Sequence, residues 1–164
     1  MTTLSPLLPE HWPAVKAIYE EGIKTGNATF EKQSPEWETW TSSHLLHSRI
    51  VANIDNEIAG WAALTAVSGR CVYSGVGEVS VYVAEKFRGK KIGNTLLQEL
   101  IKQSEQNNIW TLQAGIFPEN KGSIKIHEAN GFRIVGYREK IGQMNGIWRD
   151  TILMERRSSV VGIK

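Results

Sequence analysis

From Val81 to Gly93 the chain reads VYVAEKFRGKKIG, an apolar strand-former that runs into a short glycine-rich, basic loop opening a helix. That layout can hold phosphate. A helix start leaves about four N–H groups without intrahelical acceptors, all near the positive end of the helix dipole. Here the amides in reach run from Gly89 through Lys90, Lys91, Ile92 and Gly93 to Asn94, with Arg88 and the two lysines supplying charge beside them. Two nucleotide sites built on the same physics are excluded by spelling. The loop lacks the order G-x-x-x-x-G-K-[ST]. The one G-x-G, Gly75-Val76-Gly77, precedes its strand and has Ser80 where a dinucleotide loop needs glycine. Taken alone, the loop reads equally as a polar helix cap on a solvated edge.

The elements that must present this loop follow from periodicity and from chain breakers. After a short opening strand, Pro9 to Lys24 carries Ala14, Val15, Ile18 and Tyr19 on one helical side. Ser34 and Pro35 read as an N-cap and first helical position, starting a second helix that carries Trp37, Trp40, Leu45 and Leu46. Ile50 to Ala52 and Ile58 to Leu64 are strands joined by a turn at Asp55-Asn56-Glu57. Glu78 to Val83 is a third strand, with Ser68 to Gly77 before it as loop or frayed strand.

Leu96, Leu97, Leu100 and Ile101 give the helix from Gly93 to Gln106 one apolar face. A buried strand, Trp110 to Phe117, follows, then a helix from Glu119 to Asn130 that Gly131 closes in the left-handed region. Phe132 to Lys140 and Trp148 to Arg156 form a final hairpin around Asn145-Gly146. A strand meander followed by a βαβ crossover implies one α/β domain over residues 1–164, with a mixed sheet and helices on its faces.

Composition sets the outer bounds. With 164 residues, 41% hydrophobic and 22% charged, the chain has the make-up of an ordinary globular domain. No apolar run approaches the ~20 residues of a membrane span, and the opening MTTLSPLLPEHW is not a secretory signal, so no membrane partner and a cytoplasmic location are expected. The single Cys71 allows no intrachain disulfide and reads as packing. A net charge of +2 with scattered lysines and arginines gives no basic stripe for nucleic acid.

Arg88-x-x-Lys91-x-Gly93 after VYV, followed by Asn120-x-x-Ser123-x-x-x-His127-x-x-x-Gly131-Phe132, resembles the GNAT acyltransferase superfamily. The resemblance narrows to the phosphinothricin and methionine-sulfoximine N-acetyltransferase branch. Asn27-Ala28-Thr29-Phe30-Glu31, Arg70-x-x-Tyr73-x-x-x-x-Glu78, Ser80-Val81-Tyr82-Val83, His127-Glu128 and Trp148-Arg149-Asp150-Thr151 carry it across nearly the whole chain. One departure stands out: Lys91 occupies the place of the family's usual first glycine. A left-handed backbone there would cost a lysine about 1 kcal/mol.

The resemblance implies a GNAT-type, mostly antiparallel sheet flanked by helices. It also implies acetyl transfer from acetyl-CoA to the α-amino group of a small amino-acid analogue, without a metal. Arg88 to Asn94 would hold the pyrophosphate, Val81, Tyr82 and Val83 the pantetheine arm as an added strand, and Asn120 that arm or the loop covering it. An α-amine is mostly protonated near neutral pH, so a base is needed, and Glu78 is the candidate. His127 falls where many superfamily members place the tyrosine that protonates the departing thiolate. Phe30, Arg70 and Tyr73, with Glu78, match substrate-side positions, and Trp37 is a candidate pocket wall. A C2 homodimer is also implied. Other amines (polyamines, aminoglycosides, protein N-termini) and a non-catalytic acyl-CoA sensor remain the alternatives.

Overall fold

Sequence-adjacent residues on a strand face opposite sides of the sheet, and at Gly60 and Trp61 this alternation sets two helices on opposite faces. The computed structural model, which describes residues 1–164, has the order β1 (Thr2–Pro6), α1 (Trp12–Lys24), α2 (Trp37–Ser43), β2 (Ile50–Ile54), β3 (Glu57–Ala66), β4 (Val76–Val83), α3 (Ile92–Gln106), β5 (Thr111–Ile116), α4 (Lys121–Ala129), β6 (Arg133–Met144) and β7 (Ile147–Arg157). Trp61 stacks on Tyr82 of β4, and both rings stack on Tyr19 of α1. Gly60 faces the other way. A Cβ there would meet the Leu96 side chain of α3 at 2.9 Å and the Tyr82 carbonyl at 2.7 Å, so glycine lets α3 lie close on the sheet. Ala59 to Leu64 are buried without a break, as a strand covered on both faces requires.

The seven strands form one sheet in the order β1-β2-β3-β4-β5-β7-β6. Only β4 and β5 pair in parallel; every other pair is antiparallel. This is the mixed, mostly antiparallel α/β sheet that the sequence implies.

Several local expectations meet their residues. Asn145 and Gly146 both have positive φ, 52° and 79°, the conformation a two-residue hairpin of this kind requires. Gly131 has φ +86°, its N–H donates to the Glu128 carbonyl, and the Phe132 N–H donates to that of His127. That is the paired bonding of a glycine-terminated helix.

Others need correction. Ser34 does not cap α2: its hydroxyl donates to Glu20 Oε1 at 2.8 Å, and the helix starts behind the extended Glu36, which Lys16 holds at 2.7 Å. Both bonds tie the segment to α1 instead. Leu45 and Leu46 lie beyond α2, because His44 is already extended. Arg49 donates to the carbonyls of Thr41, His44 and Leu45, closing that helix end from a later part of the chain. Trp37 is no pocket wall; it packs with Trp12 and Trp40 in an aromatic cluster. Strand β6 does not stop at Lys140. An irregularity between Arg138 and Gly142 interrupts it, after which pairing resumes to Met144.

Candidate active site

β4 pairs with β3 along its length, from Gly77 opposite Ala66 to Val83 opposite Gly60. On its other edge it meets β5 only at Val76, Gly77 and Glu78, opposite Thr111, Leu112 and Gln113. Beyond Glu78 the two strands part. The edge of β4 from Val79 to Val83 is left without a strand partner, and backbone donors and acceptors on such an edge can pair with an extended ligand. Two cavities open along it. One, of about 510 Å³, is lined by Phe30, Glu78, Ala114 to Phe117, Arg138, Ile141, Gly142 and Thr151. The other, of about 710 Å³, is lined by Val83, Arg88, Gly89, Lys91 to Asn94 and the start of α4. Val81, Tyr82, Asn120, Ser123 and His127 border both.

The second cavity ends at the N-terminus of α3. The first α3 amide bonded back along the chain is that of Thr95, to the Lys91 carbonyl at 3.1 Å, so those of Ile92, Gly93 and Asn94 have no intrahelical acceptor. Gly89 (φ +80°) and Lys91 (φ +64°) both adopt left-handed backbone, the kind of conformation in which successive amides can form an anion-binding nest. Arg88 and Lys91 border the space. Lys90 does not; its ammonium lies over the Phe87 ring, 5.3 Å from the centroid. This arrangement can hold an anionic group with several oxygens.

In the first cavity, Glu78 stands at the point where β4 and β5 separate. Gln113 Nε2 donates to its Oε1 at 3.2 Å, which fixes one carboxylate oxygen and leaves the other for a ligand. Phe30 packs edge-on against Phe117 at 4.8 Å. The Tyr82 phenol is strongly raised, chiefly by burial, so its hydroxyl stays protonated while its ring packs under α1.

His127 separates the two cavities. Its Nδ1 lies 2.7 Å from the Ser123 carbonyl, which can only accept, so Nδ1 carries a proton and Nε2 of the neutral ring offers a lone pair. That Nε2 is buried and has no partner within the chain. Burial also pulls the imidazole below its ordinary value, partly offset by the Ser123 bond, so the ring is neutral near pH 7.

The loop at Gly26 and Asn27, part of which borders both cavities, is held from two distant places. Asn120 caps α4 by accepting from Ser123 N–H at 3.3 Å and donates to the Asn27 carbonyl at 3.2 Å. Arg149 donates to the Gly26 carbonyl and to Asn27 Oδ1, both at 2.8 Å, with its guanidinium 4.1 Å from the centre of the Phe117 ring. Asn130 of the α4 end donates to Asn94 Oδ1 at 2.8 Å, tying α4 to the anion loop.

The structure thus brings Glu78, His127, Phe30, Asn120, Val81 and Tyr82 to one cleft and continues it to Val83, the anion loop and Lys91. It does not bring Arg70 and Tyr73 there. They sit on an exposed turn before β4, Arg70 over the Tyr73 ring at 5.5 Å, and line neither cavity. Sequence reasoning missed Gln113, Arg138, Ile141 and Gly142, and it quoted Ser123 and Thr151 only as motif residues, without a place in the site. Parallel register alone pairs Gln113 with Glu78, and the β6 irregularity sets which of its residues border the cavity, so no local pattern marks them. No group of three or more His, Cys, Asp or Glu side chains is placed to hold a metal ion. No helix is long and apolar enough to cross a membrane.

Residues 12–132 match the model of the acetyltransferase (GNAT) family. The chain is 33% identical over 150 residues to the phosphinothricin N-acetyltransferase of Alcaligenes faecalis, covering 88% of this chain and 76% of that one. Its fold is similar to a GNAT superfamily phosphinothricin acetyltransferase from Sinorhizobium meliloti, solved in complex with acetyl-CoA, with a TM-score of 0.89, 27% identity and coverage of 99% and 91%. It is equally close in fold to a ribosomal-protein-alanine N-acetyltransferase from Brucella melitensis, at TM-score 0.89 and 28% identity, with 95% and 99% covered. The splayed β4 and β5, the amides at the α3 start and the family match agree: the chain belongs to the GNAT family of acetyltransferases.

Proposed function

We propose that this enzyme transfers acetyl from acetyl-CoA to the α-amino group of a small amino acid analogue such as phosphinothricin, methionine sulfoximine or methionine sulfone. The observation that carries the reading is the continuity of the cleft: an anion cradle, an unpaired strand edge and a carboxylate lie along one path, with His127 between its two halves. The residues present fit acetyl-CoA. The free amides of α3, with Arg88 and Lys91, suit a pyrophosphate, and the open edge of β4 suits an amide-bearing arm. The bound thioester supplies the acetyl carbon that the amine attacks.

Glu78 is the base that takes the ammonium proton, directly or through water, and Gln113 holds it in place. A backbone N–H of Val81 or Tyr82 on the open edge stabilises the thioester oxygen as it gains charge. His127 enters with Nε2 as an acceptor. It therefore protonates the departing sulfur only after taking up a proton itself, and its lowered affinity for that proton favours passing it on. Phe30 forms a wall of the acceptor space. Cys71 is exposed rather than packed as its sequence reading expects, and an exposed free thiol suits a reducing compartment such as the cytoplasm.

The B. melitensis neighbour favours a second reading, a protein N-terminus as acceptor. A thiol-release assay with acetyl-CoA, run over amino acid analogues, polyamines, aminoglycosides and N-terminal peptides, separates them. Preference for the small amino acids upholds the proposal, and preference for a peptide transfers it to the second reading. Coenzyme binding with no turnover of any amine makes the chain a sensor. Glu78→Gln is expected to lower kcat by ~10²-fold or more, with loss of the acid limb of the pH–rate profile.

We also propose a C2 homodimer. Ile134, Tyr137, Ile147 and Trp148 of the terminal hairpin are each more than half exposed, an apolar surface that a second copy would cover. Sedimentation at twice 18.4 kDa is expected; a monomer at micromolar concentration would contradict it.

A further inference from the structure

Glu78 and Arg138 are the two charged side chains lining the acceptor cavity, since His127 is neutral there. Glu78 already has Gln113 as a partner. Arg138 takes part in no ion pair and in no side-chain hydrogen bond, whereas Arg133, Arg149 and Arg156 are all paired with carboxylates. Its backbone is nevertheless anchored on both sides. The Tyr137 hydroxyl donates to Asp150 Oδ2 at 2.7 Å, and the Lys140 N–H donates to Asp150 Oδ1 at 2.6 Å, so one carboxylate staples the irregular turn of β6 around position 138. Arg138 is held opposite Thr151, another residue of the cavity wall.

Arg138, exposed at the wall of a space that also holds a carboxylate base and paired with nothing in the chain, is matched by a ligand with an amine and an anionic oxygen. Arg70, the cation that the family resemblance places on the substrate side, lies outside this cavity. Resting on the amino-acid reading above, we infer that Arg138 binds an oxyanion of the acceptor, and so is a specificity-determining residue of this acetyltransferase. Its planar fork can donate two parallel hydrogen bonds to a carboxylate or a phosphinate. The oxyanion is the α-carboxylate or the acidic end of the side chain, and the two differ in what they predict.

Steady-state kinetics of Arg138→Met and Arg138→Lys decide. Met keeps most of the length of the stem and removes the charge. KM for phosphinothricin is expected to rise about 10- to 100-fold in Arg138→Met, the loss of one charged hydrogen-bonded contact, with kcat changed by less than a few-fold. Arg138→Lys recovers part of it. If the α-carboxylate is held, methionine sulfone loses as much, while its decarboxylated counterpart, 3-(methylsulfonyl)propylamine, is unaffected. If the side-chain acid is held, phosphinothricin loses and methionine sulfone does not. Acetyl-CoA affinity by titration calorimetry is expected to stay unchanged in either case.

The inference is overturned if KM for every amino acid stays within about twofold of the parent, or if the decarboxylated amine loses as much as the amino acid. Failure of the unmutated enzyme to use any amino acid, with turnover of other amines, removes the proposed function and this inference together. Amino-acid turnover that is indifferent to Arg138 removes this inference alone.

Discussion

Lys91 sits in left-handed backbone at φ +64°, ψ 16°, at the residue that caps α3 and whose carbonyl receives both the N–H and the hydroxyl of Thr95. A lysine there is strained by roughly 1 kcal/mol, and the misspelling of the family loop is thereby located in a specific dihedral angle. Its charge borders the anion cavity, so strain and charge oppose each other. Lys91→Gly should raise stability by up to about 1 kcal/mol in urea unfolding and weaken acetyl-CoA binding a few-fold at low salt, with the difference shrinking as salt increases. Equal coenzyme affinity at all ionic strengths would show that the lysine contributes only strain. Gln113 is the complementary case, a neutral side chain whose effect is positional. Its amide holds one oxygen of Glu78, and Gln113→Leu removes that donor. A fall in kcat of about 10-fold is then expected with acetyl-CoA affinity unchanged, and an unchanged kcat would show that Glu78 needs no such support.

At the scale of elements, α4 combines what sequence shows well with what it shows poorly. Its glycine stop and its amphipathic span are local patterns, and Gly131 and the β6–β7 turn at Asn145-Gly146 are legible because only particular residues tolerate positive φ. The end of α2 is not legible, since the group that satisfies its carbonyls, Arg49, arrives after the helix has ended. The irregularity in β6 is hidden for the same reason, because Asp150 of β7 fixes it. Burial of a neutral histidine in α4 has a measurable consequence. His127 and His44 are both pulled below their ordinary values, chiefly by burial, so the unfolded chain binds more protons than the folded one as pH falls through about 6.5. Stability present above that pH is lost as pH drops through the folded-state values. Urea midpoints should fall between pH 7 and pH 5, and His127→Gln should flatten that slope; an unchanged slope would assign the loss to other groups.

In the whole molecule, the anion cradle and the open strand edge of the coenzyme half come from one stretch, Val81 to Asn94, which is why that stretch announces it, while the first loop and the start of α4 complete the wall. The acceptor half gathers Phe30, Glu78, Phe117, Arg138 and Thr151 from five separate segments, and only the sheet order brings them together. That difference has a consequence in time. The loop at Gly26 and Asn27 is secured by Arg149, more than 120 residues later, and by Asn120. Closing so long a span comes late and opens early, because few contacts repay the chain entropy until the last hairpin has docked. Amides of residues 27–31 are therefore expected to exchange with deuterium at the opening rate of β6 and β7, well ahead of α3 and β3. Arg149→Met should accelerate exchange in the loop while leaving α3 protected. An enzyme fastened in this way keeps its anion cradle formed while the loop that borders both cavities opens and closes.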